Sequence, residues 1–135
     1  MNRRRVYPII AALTLLATVL ACGFSVSTAN IDDAWMAADE EGSQRTTVFA
    51  QDATFYAIVT LANAPDDTTV RAAWTAVDVE GADPDTLIDQ TELTTGDGNL
   101  VFQLNNDNLW PVGHYKVDLY LNEKLDRTLE FDVQP

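Results

Sequence analysis

The sequence predicts an all-β fold, a seven-stranded antiparallel sandwich over residues 31–135. Two observations predict it. Apolar residues alternate with polar or small ones at period 2 through most of the chain, as expected for half-buried strands. Turn-forming residues fall between the alternating runs, so that short strands follow one another closely.

The elements are justified in order. Ile31 to Ala38 fits a weak first strand, although Ala34 to Glu41 is rich in Ala, Met and Glu and equally suits a helical turn. Phe55, Ala57, Val59 and Leu61 alternate with Tyr56, Ile58 and Thr60, which predicts the second strand. Asn63-Ala64-Pro65-Asp66-Asp67 ends it. Val70, Ala72, Trp74 and Ala76 form the inward set of the third strand, and the Gly/Pro/Asp-rich stretch from Glu80 to Pro84 closes it. Thr86 to Leu93 fits a weaker fourth strand. Gly96-Asp97-Gly98 is a tight-turn signal before Leu100, Phe102 and Leu104 of the fifth. Tyr115, Val117, Leu119 and Leu121 mark the sixth strand, and Leu129, Phe131 and Val133 the seventh. Asn122-Glu123 joins these two. Glu123 stands where a two-residue turn prefers glycine, which predicts a different loop or register.

Residues 1–21 have another character. Arg3, Arg4 and Arg5 precede an apolar run from Ile9 to Leu20, and the run stops at Cys22, the only cysteine. A basic n-region, a short apolar h-region and a small-residue cleavage site make a secretory signal. The run is shorter than the roughly 20 apolar residues of a membrane span, and no second apolar run follows. Val19-Leu20-Ala21-Cys22 resembles a bacterial lipobox. That resemblance implies a helical signal peptide cut before Cys22, lipid attached at Cys22, and a short tether over 22–30. A cell-membrane or outer-surface location outside the cytoplasm follows. Two or more acyl chains give stable anchoring, at about 0.8 kcal/mol per buried methylene.

A second resemblance rests on Trp110-Pro111-Val112-Gly113-His114-Tyr115-Lys116-Val117. It is similar to the approach to strand F of immunoglobulin-like domains, where a Gly-x-Tyr leads into the strand and the tyrosine hydroxyl bonds back to upstream backbone. Tyr115 matches that tyrosine corner, and Trp74 lies mid-strand like the core tryptophan. There is no cysteine pair, so the resemblance is to disulfide-free immunoglobulin-like modules.

Composition narrows the function. The chain carries −13 at pH 7, and losing the three leader arginines takes it to −16. Such a surface lacks the basic footprint of a nucleic-acid binder and the polybasic patch of a protein lying on anionic lipid. If loops alternate between two ends, nine of the 21 acids, Asp52, Asp78 and Glu80 among them, collect at the end away from the tether. Asp83, Asp85 and Asp107 supply oxygens of the kind calcium takes, but at no EF-hand spacing. No metal or other cofactor is otherwise expected, since His114 is the only histidine and Cys22 is committed to lipid. No G-x-S-x-G elbow accompanies His114, so a binding or structural role is expected rather than an enzyme. Trp35, Tyr56 and Tyr120 are the candidate contacts for a protein partner or a sugar. For Trp35 the alternative is packing beneath the loop that follows the first strand.

Overall fold

The computed structural model describes residues 28–135; the leader, Cys22 and most of the tether lie outside the described residues. Eight strands form two sheets. They are β1 (Asn30–Ala37), β2 (Val48–Ala50), β3 (Phe55–Ala62), β4 (Thr68–Val79), β5 (Thr86–Thr95), β6 (Gly98–Leu104), β7 (Gly113–Leu121) and β8 (Lys124–Gln134). One sheet has the order β1-β3-β6, and the other β2-β8-β7-β4-β5. Among the described residues no helix is long and apolar enough to cross a membrane.

The expected alternation places the core. Phe55, Ala57, Val59 and Leu61 of β3 face Val70, Ala72, Trp74 and Ala76 of β4 and Val117 and Leu119 of β7, all of them buried. Aromatic rings crowd one end. Phe55 lies 4.7 Å from both Trp110 and Phe131 between ring centroids, and 5.0 Å from Phe49. Burying such rings dominates the energetics of a small domain that lacks disulfides.

The expected seven antiparallel strands become eight, and the extra one is parallel. β2 lies inside what reads as a loop and pairs with β8, Phe49 opposite Val133. A three-residue strand is too short to display a period. It forms because Phe49 fills the core beside Phe55 and Phe131. The helical alternative for Ala34 to Glu41 is also corrected: β1 runs to Ala37, and residues 33–37 pair with β3 without a break.

The Asn122-Glu123 connection is a two-residue turn after all. Leu121 pairs with Lys124, and φ is positive at Asn122 (48°) and Glu123 (70°). Both central residues are left-handed, as a type I′ turn requires. The expected register change sits just beyond it, between Leu119 and Tyr120.

The loops sort to two ends. Thr28 Oγ1 donates to Asn63 O at 2.8 Å, Ala64 N to Asp97 Oδ1 at 2.6 Å and Thr69 N to Asn122 Oδ1 at 3.0 Å. These bonds gather the entering chain and three turns at one end. At the other, Trp110 N donates to Gln51 O, and Glu80 N to Val112 O.

Candidate functional site

The tyrosine corner is formed as the motif implies. Tyr115 Oη donates to Pro111 O at 2.5 Å, and burial pushes its phenol up to about 12. Gly113 permits the approach. A Cβ there would lie 2.3 Å from Asp78 O and 2.6 Å from Val79 Cα. Trp110 secures the same corner from the other side, its indole N–H donating to Ala53 O at 2.8 Å. These residues are structural and leave the candidate contacts to other surfaces.

Trp35 lies on the outer face of the β1-β3-β6 sheet, opposite Ile58. Its indole N–H donates to Gly42 O at 2.9 Å, so the 38–44 loop folds over it. Gly42 (φ 76°) is required here, because a Cβ would meet Ile58 Cγ1 at 2.9 Å and the indole at 3.1 Å. Ile58, which the alternation placed on the half-exposed face, is thereby buried. Asp39 holds the loop. Its carboxylate accepts from Ser43 Oγ, Gln44 N and Ser43 N, and the Ser43 hydroxyl, followed by the Gln44 amide, lowers its pKa.

Trp35 also borders a groove of about 510 Å³ along the seam between the sheets. Residues 34–36 of β1 make one wall, Thr128, Leu129 and Glu130 of β8 the other, and Arg45, Thr46 and Thr47 bridge them. The bridge exists because this segment changes sheets: Thr46 N donates to Met36 O in one, and Asp132 N to Thr47 O in the other. Arg45 lies with its guanidinium carbon 4.0 Å from the Trp35 ring centroid and pairs with Asp33 at 3.3 Å. Tryptophan and arginine are the residue types enriched where interfaces concentrate their binding energy. The groove therefore offers an aromatic and aliphatic floor with hydroxyls, a cation and a carboxylate around it, which suits non-covalent recognition.

The other candidates do not join this groove. Tyr56 shares the outer face of the Trp35 sheet, opposite Ala37. Tyr120 lies on the other sheet, where Arg71 stacks on it at 4.0 Å. Asp83 and Asp85 occupy the β4–β5 turn and Asp107 the β6–β7 loop, all exposed. Among the described residues no group of three or more His, Cys, Asp or Glu side chains is placed to hold a metal ion. His114, the second residue of β7, lies between two carboxylates, its Nδ1 2.7 Å from Asp132 and its Nε2 3.0 Å from Glu130. Asp132 first, then Glu130, raises the imidazole above its ordinary pKa.

No family model and no curated protein matches the sequence. Solved structures do match the fold. An immunoglobulin-like protein from Pseudomonas aeruginosa superposes with a TM-score of 0.57 at 16% identity, covering 82% of this chain and 99% of that one. An alkylpurine DNA glycosylase from Pseudomonas fluorescens, bound to DNA containing an abasic site analogue, gives 0.54 at 15% identity over 81% of this chain. A β-glucosidase from Listeria innocua, in complex with glucose, gives 0.51 at 15% identity over 84%. The chain spans only 31% and 17% of the lengths of those two enzymes. The likeness establishes an immunoglobulin-like β-sandwich.

Proposed function

We propose that this chain is a lipid-anchored, extracytoplasmic immunoglobulin-like module that holds a protein partner and catalyses no reaction. The seam groove carries the reading, because it presents Trp35 and Arg45 together on a rigid frame. The leader pattern supports the anchor. With lipid at Cys22, six residues precede Thr28 and reach about 20 Å at most when extended. The end holding Asn63, Asp97 and Asn122 then faces the membrane. The end holding the β4–β5 turn and Pro135 points away. The charge of −16 disfavours nucleic acid and keeps the domain off anionic lipid.

Two measurements test this. Cys22→Ser should release the protein from membranes, and unchanged membrane association would refute the anchor. A photo-cross-linker at Thr47 on intact membranes should give one adduct, lost in Trp35→Ala. An adduct indifferent to Trp35, or none, would refute the groove as the contact. A second reading, a carbohydrate in the same groove, is favoured by the Thr46, Thr47 and Glu130 polar groups beside the indole. It predicts quenching of tryptophan fluorescence by oligosaccharides in the intact protein but not in Trp35→Ala.

A further inference from the structure

β5 is the last strand of its sheet, and its outer edge has no strand partner among the described residues. It is ten residues long, and every residue from Glu80 through the turn to Glu92 is exposed. The cause is geometric. A five-stranded sheet faces a three-stranded one, so its last strand overhangs the sandwich. Such an edge presents a row of N–H and C=O groups, a template for another strand; on β5 the Gln90 amide is already taken, donating to Asp89 Oδ1 at 2.9 Å.

A cleft of about 150 Å³ opens beside the first half of this strand. Thr86 and Ile88 form its β5 side, Val79 and Ala82 adjoin them, and Trp110 and Tyr115 of the corner form its apolar back. An apolar cavity of about this size accommodates a benzene ring, hence one aromatic or leucine side chain. The end of β4, the turn and the first half of β5 carry Asp78, Glu80, Asp83, Asp85 and Asp89, all exposed. The cation that reaches β5, Arg71, is already occupied by Gln90 Oε1 at 3.2 Å and by the Tyr120 ring.

We propose that β5 accepts an extended, basic peptide segment of a partner protein as an added antiparallel strand, with one apolar side chain of that segment in the cleft beside Ile88. In this recognition mode backbone hydrogen bonds supply affinity, and a pocket for an alternate side chain supplies specificity. The charge selects the occupant. A second copy of this chain would set the same acids against one another, whereas a lysine- or arginine-bearing segment meets them. The proposal rests on the protein-binding reading but not on the seam groove.

The probe is a peptide of about eight residues, matched to a typical strand. It alternates lysine with valine and carries one phenylalanine near its C-terminal end. Binding to the full-length protein in detergent is followed by fluorescence anisotropy and by amide hydrogen exchange. The peptide should bind, weaken as salt rises from about 50 to 300 mM, and slow exchange across residues 86–95. Ile88→Lys should weaken it at least about tenfold, and Trp35→Ala should leave it unchanged. An otherwise identical peptide with glutamate for lysine should not bind. No binding at millimolar peptide, or equal binding to Ile88→Lys, would overturn the proposal. Loss in Trp35→Ala with retention in Ile88→Lys would also overturn it, while leaving the protein-binding reading intact.

Discussion

The flank formed by β1, β2 and β8 and the flank that ends in β5 finish the same sandwich in opposite ways. On the first, the chain crosses between the sheets: Thr46 bonds to Met36 and Thr47 to Asp132. Arg127 then clasps the seam lower down, donating from Nη2 to Ile31 O at 2.7 Å. Phe49, carried on the crossing segment, is 4% exposed. On the second flank the chain crosses only at the tip, where Gly96 and Asp97 carry it from β5 to β6. Leu93 near that turn packs on the core, but the strand before it is held by its ladder to β4 and keeps seven consecutive residues in solvent. The difference teaches that a strand of three residues can be deeply structural and one of ten residues peripheral. What decides is whether the side chains reach the space between the sheets, not how long the ladder is.

The largest expected effect tests that contrast directly. Phe49→Ala should cost about 3–5 kcal/mol, the range for truncating a buried phenylalanine. Leu87→Ser on β5 should stay within about 0.5 kcal/mol, as exposed substitutions do. Denaturant unfolding of both variants measures it, and similar losses would abolish the distinction between the flanks.

A smaller effect lies where β4 meets β5. Thr68, opposite Thr95, is 1% exposed, and its hydroxyl has no hydrogen-bond partner. An unsatisfied buried polar group costs about 1–3 kcal/mol, and valine matches the shape of threonine without it. Thr68→Val should therefore raise stability by about 1 kcal/mol in the same experiment. A loss would mean that the hydroxyl does find a partner.

The smallest effect belongs to the closed flank. His114, between Asp132 and Glu130 of β8, has its pKa raised in the folded state. Its stabilising contribution is complete below about pH 6.5, the ordinary histidine value. It is lost as pH rises through the raised folded value. A pair this exposed contributes no more than about 1 kcal/mol. The melting temperature should fall slightly between about pH 6 and 8.5, where histidine is the side chain that titrates. With one histidine in the chain, His114→Gln should flatten the profile. An unchanged slope would assign the pH dependence elsewhere.

Much of this was legible in the residues. The alternation in β3, β4, β6, β7 and β8 located the inward faces, because burial on one side of a pleated strand leaves a period of two. Gly113 and Tyr115 announced the corner through the likeness of Trp110 to Val117 to the approach to strand F of immunoglobulin-like domains. Trp35 stood out as an aromatic in a weak element, and it does lie under the loop that follows β1. Its groove was not legible, since Arg45, Thr47 and Glu130 meet it only through a change of sheet and a distant strand. Ile58 read as half-exposed because the loop that covers it is fixed by Asp39, Gly42 and Trp35 acting together. Asp83, Asp85 and Asp107 looked like ligands by residue type alone. Residue type carries no information about whether two loops converge.

By itself the sequence determined the all-β class, the inward face of each strong strand and the surplus of negative charge. These follow from local periodicity and composition, which do not depend on how strands are ordered in space. Tertiary structure alone decided that Val48–Ala50 is a strand, that β5 hangs at a sheet edge beside an apolar cleft, and that Trp35 shares a groove with β8. Each of these depends on contacts between segments far apart in the chain, and only packing chooses among the pairings that local pattern leaves open.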